Sequence, residues 1–168
     1  CTFVILLDDH EALFDLKKNF KTGILDKSYV QTIIVNRSSM IDNEPEKAKD
    51  FVKKCGYDYI EMPCESTIAS CYNEAISKIK GEYVCFTNSY CIYDDLSLTA
   101  LKKAMKNHPD ANTVTLNYKK KNPDLNVHIK RYNFDMKYVD VNKEKNLYSF
   151  LPSVFVETAF IGELRFEN

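Results

Sequence analysis

Short apolar runs alternate along this chain with longer stretches in which apolar residues recur every three or four positions. "FVILL" at 3–7 is a continuous apolar run of strand length, and "YVQTIIV" at 29–35 is rich in β-branched residues. Both read as parallel strands covered on two faces. Between them, "HEALFDLKKNF" places Leu13, Leu16 and Phe20 at helical spacing, with Gly23 positioned to end the helix.

The alternation continues. In "NEPEKAKDFVKKCG", Asn43 and Glu46 have capping-box spacing, Pro45 fits a first helical turn and Gly56 closes the helix. "YDYIEMP" supplies a third strand. "STIASCYNEAISKIKG" then carries Ile68, Cys71, Tyr72, Ala75, Ile76 and Ile79 on one helical stripe. "EYVCFT" predicts a fourth strand, "DDLSLTALKKAMKNH" a helix capped by Asp94 and stopped before Pro109, and "NTVTLNY" a fifth strand. After Tyr118 the rhythm changes to a polar turn, "KKKNPD", and to shorter predicted strands in "VHIKRYNF", "KYVDV" and "LYSFLPSVFV", with a helical turn near Glu157 to Ile161. Strands and helices in this order predict an α/β fold, a three-layer α/β/α arrangement on a mainly parallel central sheet. Residues 1–118 form its core and 119–168 a small mixed β extension within a single domain.

Composition narrows this picture without redirecting it. The 168 residues, 45% of them hydrophobic, suit one domain with a full core. Twenty-three Lys and Arg balance twenty-four Asp and Glu, so no overall field favours nucleic acid or an anionic membrane. The "KKK" at 119–121 lacks interleaved aromatics and reads as a solvated turn. No apolar run approaches the roughly 20 residues of a membrane span. The opening "CTFVILLDDH" has neither a basic leader nor a cleavage site, and reads as a strand. A start at Cys1 and an end at Asn168 suggest a piece of a longer protein. The six cysteines contain no Cys-x-x-Cys, and Cys71 and Cys85 fall where a thiol packs as a small apolar group. Reduced cysteines in a cytoplasmic protein are the expectation.

Chemistry is expected at the carboxyl ends of parallel strands. That singles out Asp8 to His10, Asn36 to Ser39, Pro63 to Ser66 and Thr87 to Cys91. The four glycines, at 23, 56, 81 and 162, form no Gly-x-Gly-x-x-Gly and no Walker loop, against a classical dinucleotide or ATP cradle.

The run "IASCYNEAISKIKGEYVCFTNSYC" resembles the helix, Lys-Gly-Glu-Tyr turn and strand that lead into the Asp-x-Asp motif of the family 2 glycosyltransferases, which have the GT-A fold. "TIIVNRSS" is similar to that family's second strand and following aspartates, "FVILLDDHEALF" to its opening strand and helix, and "SVFVETAFIGELRFEN" to the segment before its acceptor region. The resemblance implies sugar transfer from a nucleoside diphosphate sugar to a hydroxyl or glycan acceptor. A divalent cation and fixed donors there answer the charge developing on the diphosphate.

Carried over position by position, the family's roles fall on Asn36 and Arg37 for the base, on Tyr72 for a phosphate-facing helix residue, and on Asn88, Ser89 and Tyr90 for metal and ribose. Each departs from the family pattern. Asn88 keeps an oxygen but no charge, and Tyr90 is a phenol with an ordinary pKa of about 10. Mn²⁺ or Mg²⁺ thus stays an open cofactor, ligated only weakly by Asn88 because hard cations want carboxylate oxygens. The catalytic base that the resemblance implies falls after Asn168.

Other readings weigh on single residues. Asp94 and Asp95 are explained by capping the following helix rather than by a metal. In "DDH" at 8–10, Asp9 suits a helix cap, while Asp8 remains able to face a bound base. Arg37 is either a solvated loop cation or a partner for a nucleotide phosphate, and Tyr72, on the apolar stripe, reads as core. The candidate nucleotide-sugar contacts are thus Asp8, Asn36, Arg37, Asn88, Ser89 and Tyr90. Two functions follow: a transferase with unusual ligands, or a non-catalytic relative that binds a glycan, a nucleotide or a protein. A third reading, a phosphoacceptor receiver domain built on Asp8, Asp9, Thr87 and Lys119, lacks an aspartate after the third strand, where "YIEMPC" offers Glu61.

Overall fold

The computed structural model describes residues 1–8, 12–21, 25, 27–37, 45–89, 91, 93, 95–115, 154–162 and 165–167. They form six strands, β1 (Thr2–Leu7), β2 (Gln31–Asn36), β3 (Asp58–Glu61), β4 (Tyr83–Asn88), β5 (Thr113–Thr115) and β6 (Val154–Glu157). The helices are α1 (Ala12–Lys21), α2 (Pro45–Lys54), α3 (Ile68–Ile76), α4 (Asp95–Asn107) and α5 (Thr158–Ile161). The strands lie in one sheet in the order β3-β2-β1-β4-β6-β5.

Side chains alternate across a strand, so β1 feeds two cores. Phe3, Ile5 and Leu7 pack with Leu13 and Leu16 of α1, Val52 of α2, and Leu98 and Leu101 of α4. Val4 and Leu6 face the other way, onto Cys71, Tyr72 and Ala75 of α3 and Ile161 of α5. All six β1 residues are buried, which is why that strand reads as an unbroken apolar run. Each such aliphatic side chain contributes roughly 1.5–3 kcal/mol by leaving water.

Local signals set the helix ends. The Thr67 hydroxyl accepts from the Ser70 backbone N–H at 3.1 Å and starts α3. Gly56, with φ at +71°, stands just past α2, where a left-handed residue lets the chain turn. Helix α3 is shorter than its apolar stripe suggests, ending at Ile76, and Ile79 packs onto the same core from the turn beyond. Gly23, Asn43 and Asp94, expected as helix stops and caps, lie outside the described residues.

The turn "KGEY" is tied to the amino ends of the strands. Thr2 Oγ1 accepts from the Gly81 N–H at 2.9 Å and donates to Gln31 Oε1 at 2.8 Å. Gln31 Nε2 in turn donates to Asp58 Oδ2 at 2.8 Å and to the Lys78 carbonyl at 2.9 Å. A Cβ at position 81 would lie 2.6 Å from Thr2 Oγ1 and 2.7 Å from the Thr2 nitrogen, so glycine is demanded by close approach.

The topology differs from the simplest extension of the pattern in one place. Strand β5 runs in the same direction as β4 but is not hydrogen-bonded to it, because β6 is inserted antiparallel between them. Val84 pairs with Val156, and Val114 with Phe155. Thr158 locks the insertion by donating from its hydroxyl to the Gly81 carbonyl at 2.6 Å. The sheet is therefore mixed, with β3, β2, β1 and β4 parallel and β6 reversed. The boundary drawn at Tyr118 and the strands predicted in 127–141 and from Leu147 to Ser153 lie outside the described residues.

Candidate functional site

From β1 the chain passes outward to β2 and β3 with α1 and α2 on one face, then returns through α3 on the opposite face to β4, on the other side of β1. The reversal makes the carboxyl ends of β1 and β4 a topological switch point, the place where ligands bind in open α/β sheets. Register keeps three strand ends level there, with Leu7 opposite Asn36 on β2 and Leu6 opposite Asn88 on β4.

The site is built from the residues that leave these strands. Asp8 is half-buried directly after β1. Arg37, half-buried after β2, is anchored at both ends. Its backbone N–H donates to the Leu7 carbonyl at 3.1 Å, and its guanidinium Nη1 donates to the Ser66 carbonyl at 2.8 Å, just before α3. Burial pushes the Cys71 thiol of α3 up, while Arg37 pulls it down and Asp8 pushes it up to smaller degrees. A cation and an anion thus act together on the α3 side of the strand ends.

Asn36 points elsewhere. It is only 3% exposed, and its amide donates to the Tyr59 hydroxyl at 3.0 Å, a bond within the body of the domain. Its carbonyl accepts from the Met62 N–H at 2.8 Å and continues the ladder past the end of β3.

At the end of β4 lies a hydrogen-bonded cluster. Cys91 Sγ donates to Asn88 Oδ1 at 3.0 Å, and the Cys91 N–H reaches the Asn88 carbonyl at 3.4 Å. Beneath them Tyr93 donates to Thr87 Oγ1 at 2.8 Å and lies 3.5 Å from Cys85 Sγ. The Tyr93 ring packs tilted against Phe3, with 4.7 Å between centroids. Burial pushes the Cys91 thiol up, the Cys85 thiol up to about 12 and the Tyr93 phenol well above its ordinary value. All of these groups stay protonated at neutral pH and act as hydrogen-bond donors. Ser89 is buried, and Tyr90 lies outside the described residues, as do Asp9 and His10.

Tyr72 belongs to the core, as its place on the apolar stripe predicts. It is 5% exposed, its ring packs against both Phe86 and Phe166, and its hydroxyl donates to the Thr87 carbonyl at 3.1 Å. Phe166 is held there by Asn73, whose side chain accepts from the Phe166 N–H at 2.8 Å and donates to its carbonyl at 3.0 Å. The tail segment 165–167 is thereby pinned over α3.

Of the six residues singled out from sequence, Asp8, Arg37 and Asn88 come to adjacent strand ends, whereas Asn36 and Ser89 are turned inside. Cys91 was within a recognised loop, but its bond to Asn88 was not legible. Tyr59 and Tyr93 were missed, since each acts through a hydroxyl at the end of a side chain otherwise packed in the core.

The carboxylate pair implied by the family's metal has no equivalent at Asn88. An amide replaces the carboxylate and its oxygen already accepts a thiol proton. Among the described residues no group of three or more His, Cys, Asp or Glu side chains is arranged to hold a metal ion. The six cysteines are all free thiols. No described helix is long and apolar enough to cross a membrane.

The family profile described as "Glycosyl transferase family 2" matches residues 4–162. No curated protein sequence gives a significant match. Among solved structures, S. aureus TarS 1-349 superposes with a TM-score of 0.74 at 14% identity, over 96% of this chain and 48% of that one. The same protein in complex with UDP-GlcNAc gives 0.73 at 14% identity, over 96% and 46%. The mannosyltransferase PcManGT from Pyrobaculum calidifontis, in complex with GDP-Man and Mn²⁺, gives 0.51 at 17% identity, over 70% and 35%. The chain spans less than half the length of these structures.

Proposed function

This chain belongs to glycosyl transferase family 2, and we propose that it is the donor-binding domain of a protein that transfers a sugar from a nucleoside diphosphate sugar to a hydroxyl acceptor. The observation that carries this reading is the convergence of Asp8, Arg37 and Asn88 at three level strand ends flanking the β1/β4 switch point. The complexes of similar folds with UDP-GlcNAc and GDP-Man support a nucleotide-sugar ligand.

In this reading Asp8 accepts hydrogen bonds from the base or ribose, and Arg37 meets the diphosphate with a guanidinium, whose flat fork suits phosphate oxygens. Asn36 acts indirectly, fixing the β2 end through Tyr59. Asn88 borders the site at the end of β4. Deprotonation of the acceptor requires a base outside the groups described.

The missing carboxylates favour a second reading, a non-catalytic relative that binds nucleotide or nucleotide sugar without transfer. Thermal unfolding with UDP, GDP, UDP-GlcNAc and GDP-Man tests the shared premise. A nucleotide that binds the native state alone raises the midpoint in a concentration-dependent way. Release of free nucleoside diphosphate from the bound donor then selects the transferase, and binding without release selects the second reading. No shift with any of the four would overturn both.

A further inference from the structure

We propose that this domain binds the diphosphate of its nucleotide without a divalent cation, the positive charge being supplied by Arg37. The inference rests on the nucleotide-sugar reading above and specifies how the anion is held.

A diphosphate brought against the half-buried strand ends must meet positive charge, because its desolvation is otherwise uncompensated. The family pattern has two sources, a metal on the carboxylate motif and a cation on the middle helix, and both are altered here. At the first, Asn88 offers a neutral amide oxygen that the Cys91 thiol already occupies at 3.0 Å. That oxygen, shared with the thiol, would provide a metal with no carboxylate charge. At the second, Tyr72 is buried in a cluster with the Phe86 and Phe166 rings, and its hydroxyl donates to the Thr87 carbonyl.

Arg37 replaces them from a neighbouring strand. It leaves β2 opposite the end of β1, and its bond to the Ser66 carbonyl fixes the side chain toward α3, the side from which the family's helix cation acts. That bond uses one N–H, and a guanidinium has five. Arg37 is half-buried in this position. Loss of the helix cation and the metal ligands is thus matched by gain of a cation where the family has an aspartate.

The test is isothermal titration of the chain with UDP and with GDP, each against its nucleoside, in EDTA and in Mn²⁺ at fixed ionic strength. The proposal predicts that the tighter diphosphate binds with nearly the same affinity in both buffers. Arg37→Gln should weaken diphosphate binding by about tenfold or more, as expected for a lost charge-assisted hydrogen bond, and leave nucleoside binding unchanged. Glutamine retains an N–H for the Ser66 carbonyl, and Arg37→Lys, which keeps the charge, should recover part of the loss. Binding seen only with Mn²⁺ would overturn the inference while leaving the nucleotide reading intact. Equal weakening of nucleoside and diphosphate by Arg37→Gln would also overturn it, reducing Arg37 to a structural tie. Absence of binding in either buffer would overturn the inference and the reading together.

Discussion

The Cys91 thiol donates to the side-chain oxygen of Asn88 at 3.0 Å, closing a ring between the end of β4 and the turn that follows. This contact ties down the group that occupies the first carboxylate position of the family's metal motif. It exchanges a metal ligand for a structural tie.

Putting the charges back should restore the metal. Asn88→Asp combined with Tyr90→Asp is expected to create Mn²⁺ binding detectable by the loss of the free-ion electron paramagnetic resonance signal, with a larger effect when Cys91→Ala also frees the carboxylate. No gain in the triple variant would show that the motif is misplaced on this loop.

Gly81 is a packing requirement. Gly81→Ala puts a methyl group 2.6 Å from Thr2 Oγ1 and 2.7 Å from the Thr2 nitrogen, at a backbone that Gln31 and Thr158 hold in place. Urea denaturation should report a loss of about 1–3 kcal/mol. Gly56→Ala meets no neighbouring atom but must adopt φ near +71°, so its smaller loss should be a backbone effect.

Asn73 staples the tail. Asn73→Ala removes both bonds to the Phe166 backbone, and the expected cost is about 1–3 kcal/mol if the freed groups stay buried. The hydrogen-exchange protection of the Phe166 amide should fall in any case. Unchanged protection would mean that ring packing on Tyr72 and Phe86 holds the segment unaided.

Alkaline pH should unfold the β4 cluster early. The Cys85 thiol rises from an ordinary value of 9.0 to about 12 in the folded chain. In that interval the native state retains a proton that the unfolded chain has lost, so stability is complete below about pH 9 and declines toward pH 12. Tyr93 and Tyr83 are displaced in the same direction. Cys85→Ala should lower the stability at neutral pH yet make its decline above pH 9 shallower, as followed by urea midpoints. Parallel profiles for the two proteins would contradict this.

The fold was legible wherever burial on both faces leaves its mark in local composition. "FVILL", "TIIV" and "YVCF" read as central strands, and Cys71, Tyr72 and Ala75 mark α3 because these buried residues recur at helical spacing, although Ile68, read on the same stripe, is 46% exposed at the first turn. Strand neighbours were less legible. Val114 and Phe155 pair across forty residues of chain, and no local pattern announces that β6 will separate β5 from β4. The candidate site followed the same division. Strand ends at Asp8, Asn36, Arg37 and Asn88 came from periodicity, but the choice between inward and outward did not. Asn36 turns inside because Tyr59 offers its hydroxyl from the adjacent strand, while Arg37, one residue on, emerges on the opposite face toward Ser66.

The most direct test of the central claim is where a nucleotide touches the domain. Titration of ¹⁵N-labelled protein with UDP or GDP, followed by amide chemical shifts, should displace the signals of Asp8, Arg37, Asn88 and Ser89 and leave those of Thr2, Gln31 and Gly81 at the amino ends in place. Displacements confined to the amino ends, or to the exposed faces of α1 and α4, would contradict a nucleotide site at the β1/β4 switch point.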